Sequence, residues 1–212
     1  MATTAAKKQE AKLAKNLAHK THFTKQEIET LMINFKKMTM SKLERTMFRE
    51  ILHNTFEMTD DILMDRIFRT FDADNDGIID FGEWVTGLSI ILRGTQDEKI
   101  DFCFKVYDLT GDRIITREEM FHMLKNTMVR QLAEEDPDEG IKDLVDLTLK
   151  KMDYDRDGRL SADDFKRSVQ EEPLLLEAFG PCLPDDKVRE AFLATFTQTK
   201  MDTSDSLGLS TL

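Results

Sequence analysis

Residues 72–83 read DADNDGIIDFGE, and this stretch decides the fold. Carboxylates stand at its first (Asp72), third (Asp74), fifth (Asp76), ninth (Asp80) and twelfth (Glu83) positions, with Gly77 at the sixth. That spacing suits a hard divalent cation, which takes about six to eight oxygens at roughly 2.3 to 2.6 Å. A tightly curled chain delivers the first three carboxylates, the glycine permits the turn, and the peptide carbonyl of Ile78 supplies the seventh position. Glu83 falls just inside the following helix, so it ties that helix to the ion. Phe68 and Phe71 precede the loop and Trp84 follows it, as apolar anchors for the flanking helices.

This is the calcium loop of an EF-hand, and the chain repeats it. Residues 108–119, DLTGDRIITREE, offer Asp108, Thr110, Asp112, the carbonyl of Ile114, Thr116 and Glu119 at the same six positions. Arg113 stands where the turn asks for glycine, which costs about 1 kcal/mol and predicts weaker binding here than at the first loop. Residues 153–164, DYDRDGRLSADD, offer Asp153, Asp155, Asp157, the carbonyl of Arg159, Ser161 and Asp164. Asp164 is one methylene shorter than glutamate, which favours six-coordinate ions. The third loop is therefore expected to admit magnesium beside calcium, and the chain to hold up to three calcium ions.

The loop starts at 72 and 108 lie 36 residues apart, and stepping back by 36 again reaches Lys36. Met32 and Phe35 then take the anchor positions, Leu43 the eighth and Phe48 the site just past the twelfth. The ligand positions hold Lys36, Met38, Met40, Glu44 and Met47, which cannot build an oxygen cage. An ion-free hand still has a use, because hands pair through a short strand contact and an odd one leaves an edge and an apolar face exposed. The expected fold is all-α: four EF-hands in two paired lobes, 23–93 and 94–170, followed by C-terminal helices over 171–198 and a flexible tail from 199.

Apolar periodicity places helices near 24–35, 44–56, 60–71, 81–92, 97–107, 117–132, 141–152 and 162–170, and no long strand. Thr24 with Glu27 reads as a capping box, stapled by Phe23 and Ile28. Residues 1–22 carry lysines but no strong apolar stripe, and read as a frayed or weakly helical basic arm or one that docks on an acidic surface. AEEDPDEG at 133–140 accounts for the longer step to the third loop and reads as a flexible linker within the second lobe, with an acidic docking loop as the alternative. The apolar runs around Leu174–Phe179 and Val188–Phe196 are too greasy for a tail. They fit a helix pair packed on the second lobe or a plug in the groove where a target helix would bind.

The whole chain has 212 residues with 41 acidic and 30 basic side chains, a net charge of −11. That balance disfavours nucleic acid as partner and favours cations or basic surfaces. No apolar run is long enough to span a membrane, no secretory signal is read, and Ala2 excludes a myristoyl anchor. Cys103 and Cys182 show neither ligand spacing nor a disulfide framework, which fits a reducing compartment. The four histidines lack zinc-ligand spacing, and no nucleophile and base arrangement points to an enzyme.

The FTKQEIETL start, the ion-free first hand, the full hands at 72–83 and 153–164, the longer link before the last hand and the extra C-terminal segment resemble the neuronal calcium sensor and calcineurin B-like family. The resemblance covers roughly residues 20 to 196. LTGDRIITREE, DRDGRLSADDF and the missing myristoylation glycine are most similar to its ciliary branch. That resemblance implies a calcium sensor in the cytoplasm and cytoskeleton of a cilium or flagellum, at the axoneme. Its implied partners are outer-arm dynein heavy chain and axonemal microtubules. The implied ligands are Asp72, Asp74, Asp76, Asp80 and Glu83; Asp108, Thr110, Asp112 and Glu119; and Asp153, Asp155, Asp157 and Asp164. A sensor of this kind opens an apolar groove for a helical peptide when calcium binds; the alternative readings are a calcium buffer, which scarcely changes shape, and a non-ciliary calcium-dependent regulatory subunit of the same family.

Overall fold

The computed structural model describes residues 4–39, 42–128 and 137–205. In chain order they form α1 (Thr4–Lys20), α2 (Lys25–Met38), β1 (Leu43–Glu44), α3 (Arg45–Phe56), α4 (Asp61–Phe71), β2 (Ile78–Ile79) and α5 (Phe81–Arg93). There follow α6 (Gln96–Tyr107), β3 (Ile114–Ile115), α7 (Arg117–Met128), α8 (Pro137–Met152), β4 (Leu160–Ser161), α9 (Ala162–Glu171), a short 3-10 helix (Pro173–Glu177) and α10 (Asp186–Asp205). The all-α, paired-hand architecture expected from the repeat is the one observed.

The strand contacts fix how the hands pair. β1 runs antiparallel to β2 with Leu43 opposite Ile79, and β3 runs antiparallel to β4 with Ile115 opposite Leu160. All four are eighth-position residues of their loops, and all are fully buried. The ion-free hand thus meets its neighbour in the register that the two ion-ready hands use. A buried aromatic cluster lies beneath the first pair. The ring of Phe48 stands 5.5 Å from Phe68, 5.0 Å from Phe71 and 6.0 Å from Trp84.

Local chemistry sets the helix starts. Thr24 caps α2 in a reciprocal box with Glu27, and Thr95 caps α6 with Glu98. Each box satisfies two backbone N–H groups that a helix start would otherwise leave unpaired. Glu27 also takes both prongs of Arg93 from the end of α5, at 2.8 and 2.9 Å.

Three expectations change. Residues Thr4–Lys20, expected to be frayed or weakly helical, form a helix that packs on α2 and α5 through the buried Ala14 and Leu17. Few of its described apolar residues are buried, so little of it registers as hydrophobic pattern. The C-terminal segment does not sit wholly on the second lobe. Phe179 is buried against Tyr107 there, and the Tyr107 hydroxyl donates to the Gly180 carbonyl at 2.6 Å, but α10 crosses to the first lobe. Finally, α10 continues to Asp205, beyond the expected boundary at 198. Of the expected 133–140 linker, Pro137–Gly140 opens α8 and 133–136 lie outside the described residues, as do Met40 and 206–212. Cys103 and Cys182, 79 positions apart, meet as buried free thiols with their sulfurs 2.9 Å apart. Burial pushes the Cys103 thiol well up, so it stays protonated.

Candidate metal centres

Each cage is organised by its own backbone. In the first loop, Asp72 accepts the N–H groups of Asp76 (3.1 Å) and Gly77 (2.9 Å), Asp74 accepts that of Asp76 (3.1 Å), and Asp76 accepts that of Ile78 (2.9 Å). One carboxylate oxygen from each of Asp72, Asp74 and Asp76 lies within 4.8 Å of the others. Asp80 accepts the Glu83 N–H at 2.8 Å, and Glu83 returns to the N–H groups of Asp80 and Ala73, both at 2.9 Å. The ninth and twelfth positions therefore double as the capping box that starts α5.

The second loop repeats this arrangement with fewer charges. Asp108 accepts the N–H groups of Gly111 (2.7 Å) and Arg113 (2.8 Å), and Asp112 accepts that of Ile114 (3.0 Å). Glu119 spans the loop, with one oxygen on the Thr110 N–H (2.9 Å) and the other on the Thr116 N–H (2.8 Å). In the third loop Asp153 accepts the N–H groups of Arg156 (2.7 Å) and Gly158 (2.9 Å), and Asp157 accepts that of Arg159 (2.8 Å). Asp164 makes the same span as the two glutamates, but its contacts to the N–H groups of Tyr154 and Ser161 are both 3.3 Å. The missing methylene is visible in those lengths. Oxygens of Asp153, Asp155 and Asp164 again converge within 4.8 Å. The Asp155 carboxyl is raised: its hydrogen bond from the Asp157 amide lowers it, but burial, the Asp153 side chain and the charges of Asp157 and Asp164 together outweigh that.

Of the seventh-position residues, Ile78 opens β2, Ile114 opens β3 and Arg159 immediately precedes β4. The ion-free loop has no such convergence among its described residues: Lys36 pairs with Glu10 of α1 at 2.7 Å, and Met38 and Met47 are exposed.

The donor sets fit a hard divalent cation. Asp72, Asp108, Glu119 and Asp164 are buried, yet the hydrogen bonds they accept come from backbone N–H groups and loop hydroxyls rather than from cations. Buried carboxylates that no cationic side chain binds directly are costly, and a cation among them removes that cost. Bound calcium would supply the positive centre on which these carboxylates converge.

The backbone bears on the expected weakness of the second loop. Arg113 does adopt the left-handed conformation, with φ 68°. The fourth loop position is left-handed as well, at Asn75 (φ 58°), Gly111 (φ 80°) and Arg156 (φ 61°). The second loop has its glycine at the fourth position and arginine at the sixth; the other two have glycine at the sixth, with Asn75 or Arg156 at the fourth. Every loop thus holds one left-handed residue that is not glycine, but asparagine tolerates that conformation better than arginine, so backbone strain sets 108–119 apart from 72–83 and not from 153–164.

Fold and cages together define a calcium-binding protein of paired EF-hands. Residues 97–170 match the family model described as an EF-hand domain pair, and residues 63–91 match that of an EF hand domain. The chain is 58% identical over 179 residues to calaxin from Xenopus laevis, an alignment covering 81% of this chain and 86% of that one. It is 57% identical over 182 residues to calaxin from Bos taurus, covering 82% and 86%, and 54% identical over 194 residues to calaxin from Danio rerio, covering 85% and 92%. The chain belongs to the calaxin family.

Proposed function

We propose that this chain reads calcium through loops 72–83, 108–119 and 153–164 and passes the signal to an outer-arm dynein heavy chain. Membership of the calaxin family carries the coarser part: it is a non-catalytic calcium sensor of dynein-based ciliary or flagellar motility, at the axonemal cytoskeleton. The finer part assigns three calcium ions, with magnesium admitted at 153–164, and the eighteen ligand residues named from the sequence. The lobes are assigned to 23–93 and 94–170.

One observation carries this reading. In all three loops the twelfth-position carboxylate belongs to the exiting helix and already spans its loop, by bonds to N–H groups that an ion would compete for. Drawing Glu83, Glu119 or Asp164 onto an ion therefore re-aims α5, α7 or α9 against the entering helix. The population shifts only as far as the open form binds calcium more tightly than the closed one. The groove so opened takes a helical target. α10 now covers an apolar face of the first lobe, with Phe192 on Phe56 and Phe196 on Phe23, which supports displacement of α10 by the target.

The test is an apolar dye titration of the full chain with calcium, paired with calcium-dependent capture of axonemal dynein. Calcium-dependent dye binding together with capture of the outer-arm heavy chain is the expected result. Calcium binding without new apolar surface would mean a buffer.

A further inference from the structure

Arg66 joins two of the three loops. It lies on α4, six residues ahead of Asp72, yet its half-buried guanidinium serves the other pair of hands. Nε donates to the Val106 carbonyl at 3.2 Å and one Nη to the Leu109 carbonyl at 3.0 Å. The other Nη donates to the carbonyls of Lys105, at 3.3 Å, and Asp108. These acceptors are the last turn of α6 and the first two residues of loop 108–119.

The carbonyls at a helix end lack partners within the helix and carry its partial negative charge, and a planar fork of donors is the side chain that can take several at once. Burial and the neighbouring Arg69 hold the Arg66 pKa below the usual guanidinium range, while the charges of Asp108 and Glu119 work the other way. Asp108 is consequently held from two sides. Arg66 fixes its carbonyl, and the N–H groups of Gly111 and Arg113 fix its carboxylate. Phe71, the last residue of α4, adds a ring contact to Phe102 of α6 at 6.1 Å.

We infer that Arg66 is a positioning residue that makes the calcium affinity of loop 108–119 depend on occupancy of loop 72–83. This rests on the reading that both loops bind calcium. α4 is the entering helix of the first loop, so a change in its angle against α5 carries the guanidinium with it. The peptide groups of Asp108 and Leu109 move in consequence. A role of charge alone is different: a fixed positive charge near the second loop lowers its affinity by the same factor whether or not the first is filled.

The test is a calcium titration of the full chain followed by backbone amide NMR. Gly111 reports the second loop, Gly77 the first and Gly158 the third. Glu83→Gln disables the first loop and is expected to shift the Gly111 midpoint by at least about fivefold, the lower range of allosteric coupling. In an Arg66→Lys background, which keeps the charge and stem but loses the fork, the same substitution is expected to shift it by less than about twofold. Arg66→Met should behave likewise; if it does not fold, the lysine variant carries the test, with thermal unfolding in the absence of calcium as the check.

Coupling retained in Arg66→Lys overturns the inference and leaves the loop assignment standing, as does a wild-type Gly111 midpoint that ignores Glu83→Gln. A Gly111 amide that never responds to calcium in the unmodified chain overturns the loop assignment and the inference together.

Discussion

The ring of Phe192 on α10 lies 5.3 Å from that of Phe56, the last residue of α3. Phe196 extends the contact, 5.8 Å from Phe192 and 5.9 Å from Phe23. These rings hold the C-terminal helix on the first lobe. Phe192→Ala with Phe196→Ala is expected to free it and to raise apolar dye binding in the absence of calcium. Truncating buried aromatics typically costs about 3 to 5 kcal/mol; Phe192 is only half-buried, so its own share is nearer about 2. Unchanged dye binding in the double variant would show that α10 is not what closes the face.

Glu27 and Arg93 give the first lobe an acid-sensitive tie. The hydrogen bond from Arg93 is the largest influence on Glu27 and, with the bonds from Thr24 and against burial, lowers its pKa from 4.5 to about 2. A depressed carboxylate stabilises the fold fully above its unfolded pKa and loses that contribution as pH falls toward the folded value. Taken in full the shift corresponds to about 3 kcal/mol, and solvent screening of this partly exposed pair reduces it to about 1 to 2. The stability gap between the wild type and Glu27→Gln, from urea unfolding without calcium, should be constant above about pH 5 and close between pH 4.5 and 2. A gap independent of pH across that window would remove the ion pair from the account.

Gly87 sits on α5 where a Cβ would come within 2.3 Å of the Phe71 ring. That ring is also in the cluster with Phe48 and Trp84, so it has little room to yield. Gly87→Ala is expected to destabilise the chain by about 1 to 3 kcal/mol through overpacking, despite alanine's better helix propensity. Thermal unfolding would read this directly, and a rise in midpoint would mean that Phe71 moves freely.

The cages are legible in sequence because an ion dictates both residue type and spacing. The ion-free hand is legible from spacing alone, since Leu43 keeps the eighth-position strand contact after the ligands are gone. Contacts that obey no local period leave no such mark. Cys103 and Cys182 meet across 79 positions, and α1 docks through Ala14 and Leu17, too few to print a stripe. Arg66 is hidden for a further reason: its acceptors are backbone carbonyls, which every residue possesses. The left-handed backbone at Arg113 follows from its place at the sixth loop position, whereas its counterpart at Arg156 lies at the fourth, where the calcium-loop pattern asks for no glycine.

That counterpart makes a quantitative prediction. Relieving one left-handed residue gains about 1 kcal/mol, or roughly fivefold in affinity where the loop must be formed to bind. Arg113→Gly and Arg156→Gly are therefore expected to strengthen calcium binding at their own loops by factors that agree within about twofold. Calorimetry on each variant measures this. A large gain confined to Arg113→Gly would restore a special weakness of the second loop.

Asp164 provides the sharpest handle on ion choice. Its span of the third loop is made at 3.3 Å, against 2.8 to 2.9 Å for the corresponding Glu119 bonds. A glutamate at this position can give both oxygens to one ion, whereas the shorter side chain favours one, and magnesium demands a compact octahedron that calcium does not. Asp164→Glu should accordingly raise calcium affinity at 153–164 and lower magnesium affinity, increasing their ratio by about tenfold, equivalent to about 1.4 kcal/mol. Magnesium competition followed at the Gly158 amide separates this loop from the other two. If the ratio stays fixed, ion preference is set by the rest of the cage, and the length of the twelfth-position side chain is not its determinant.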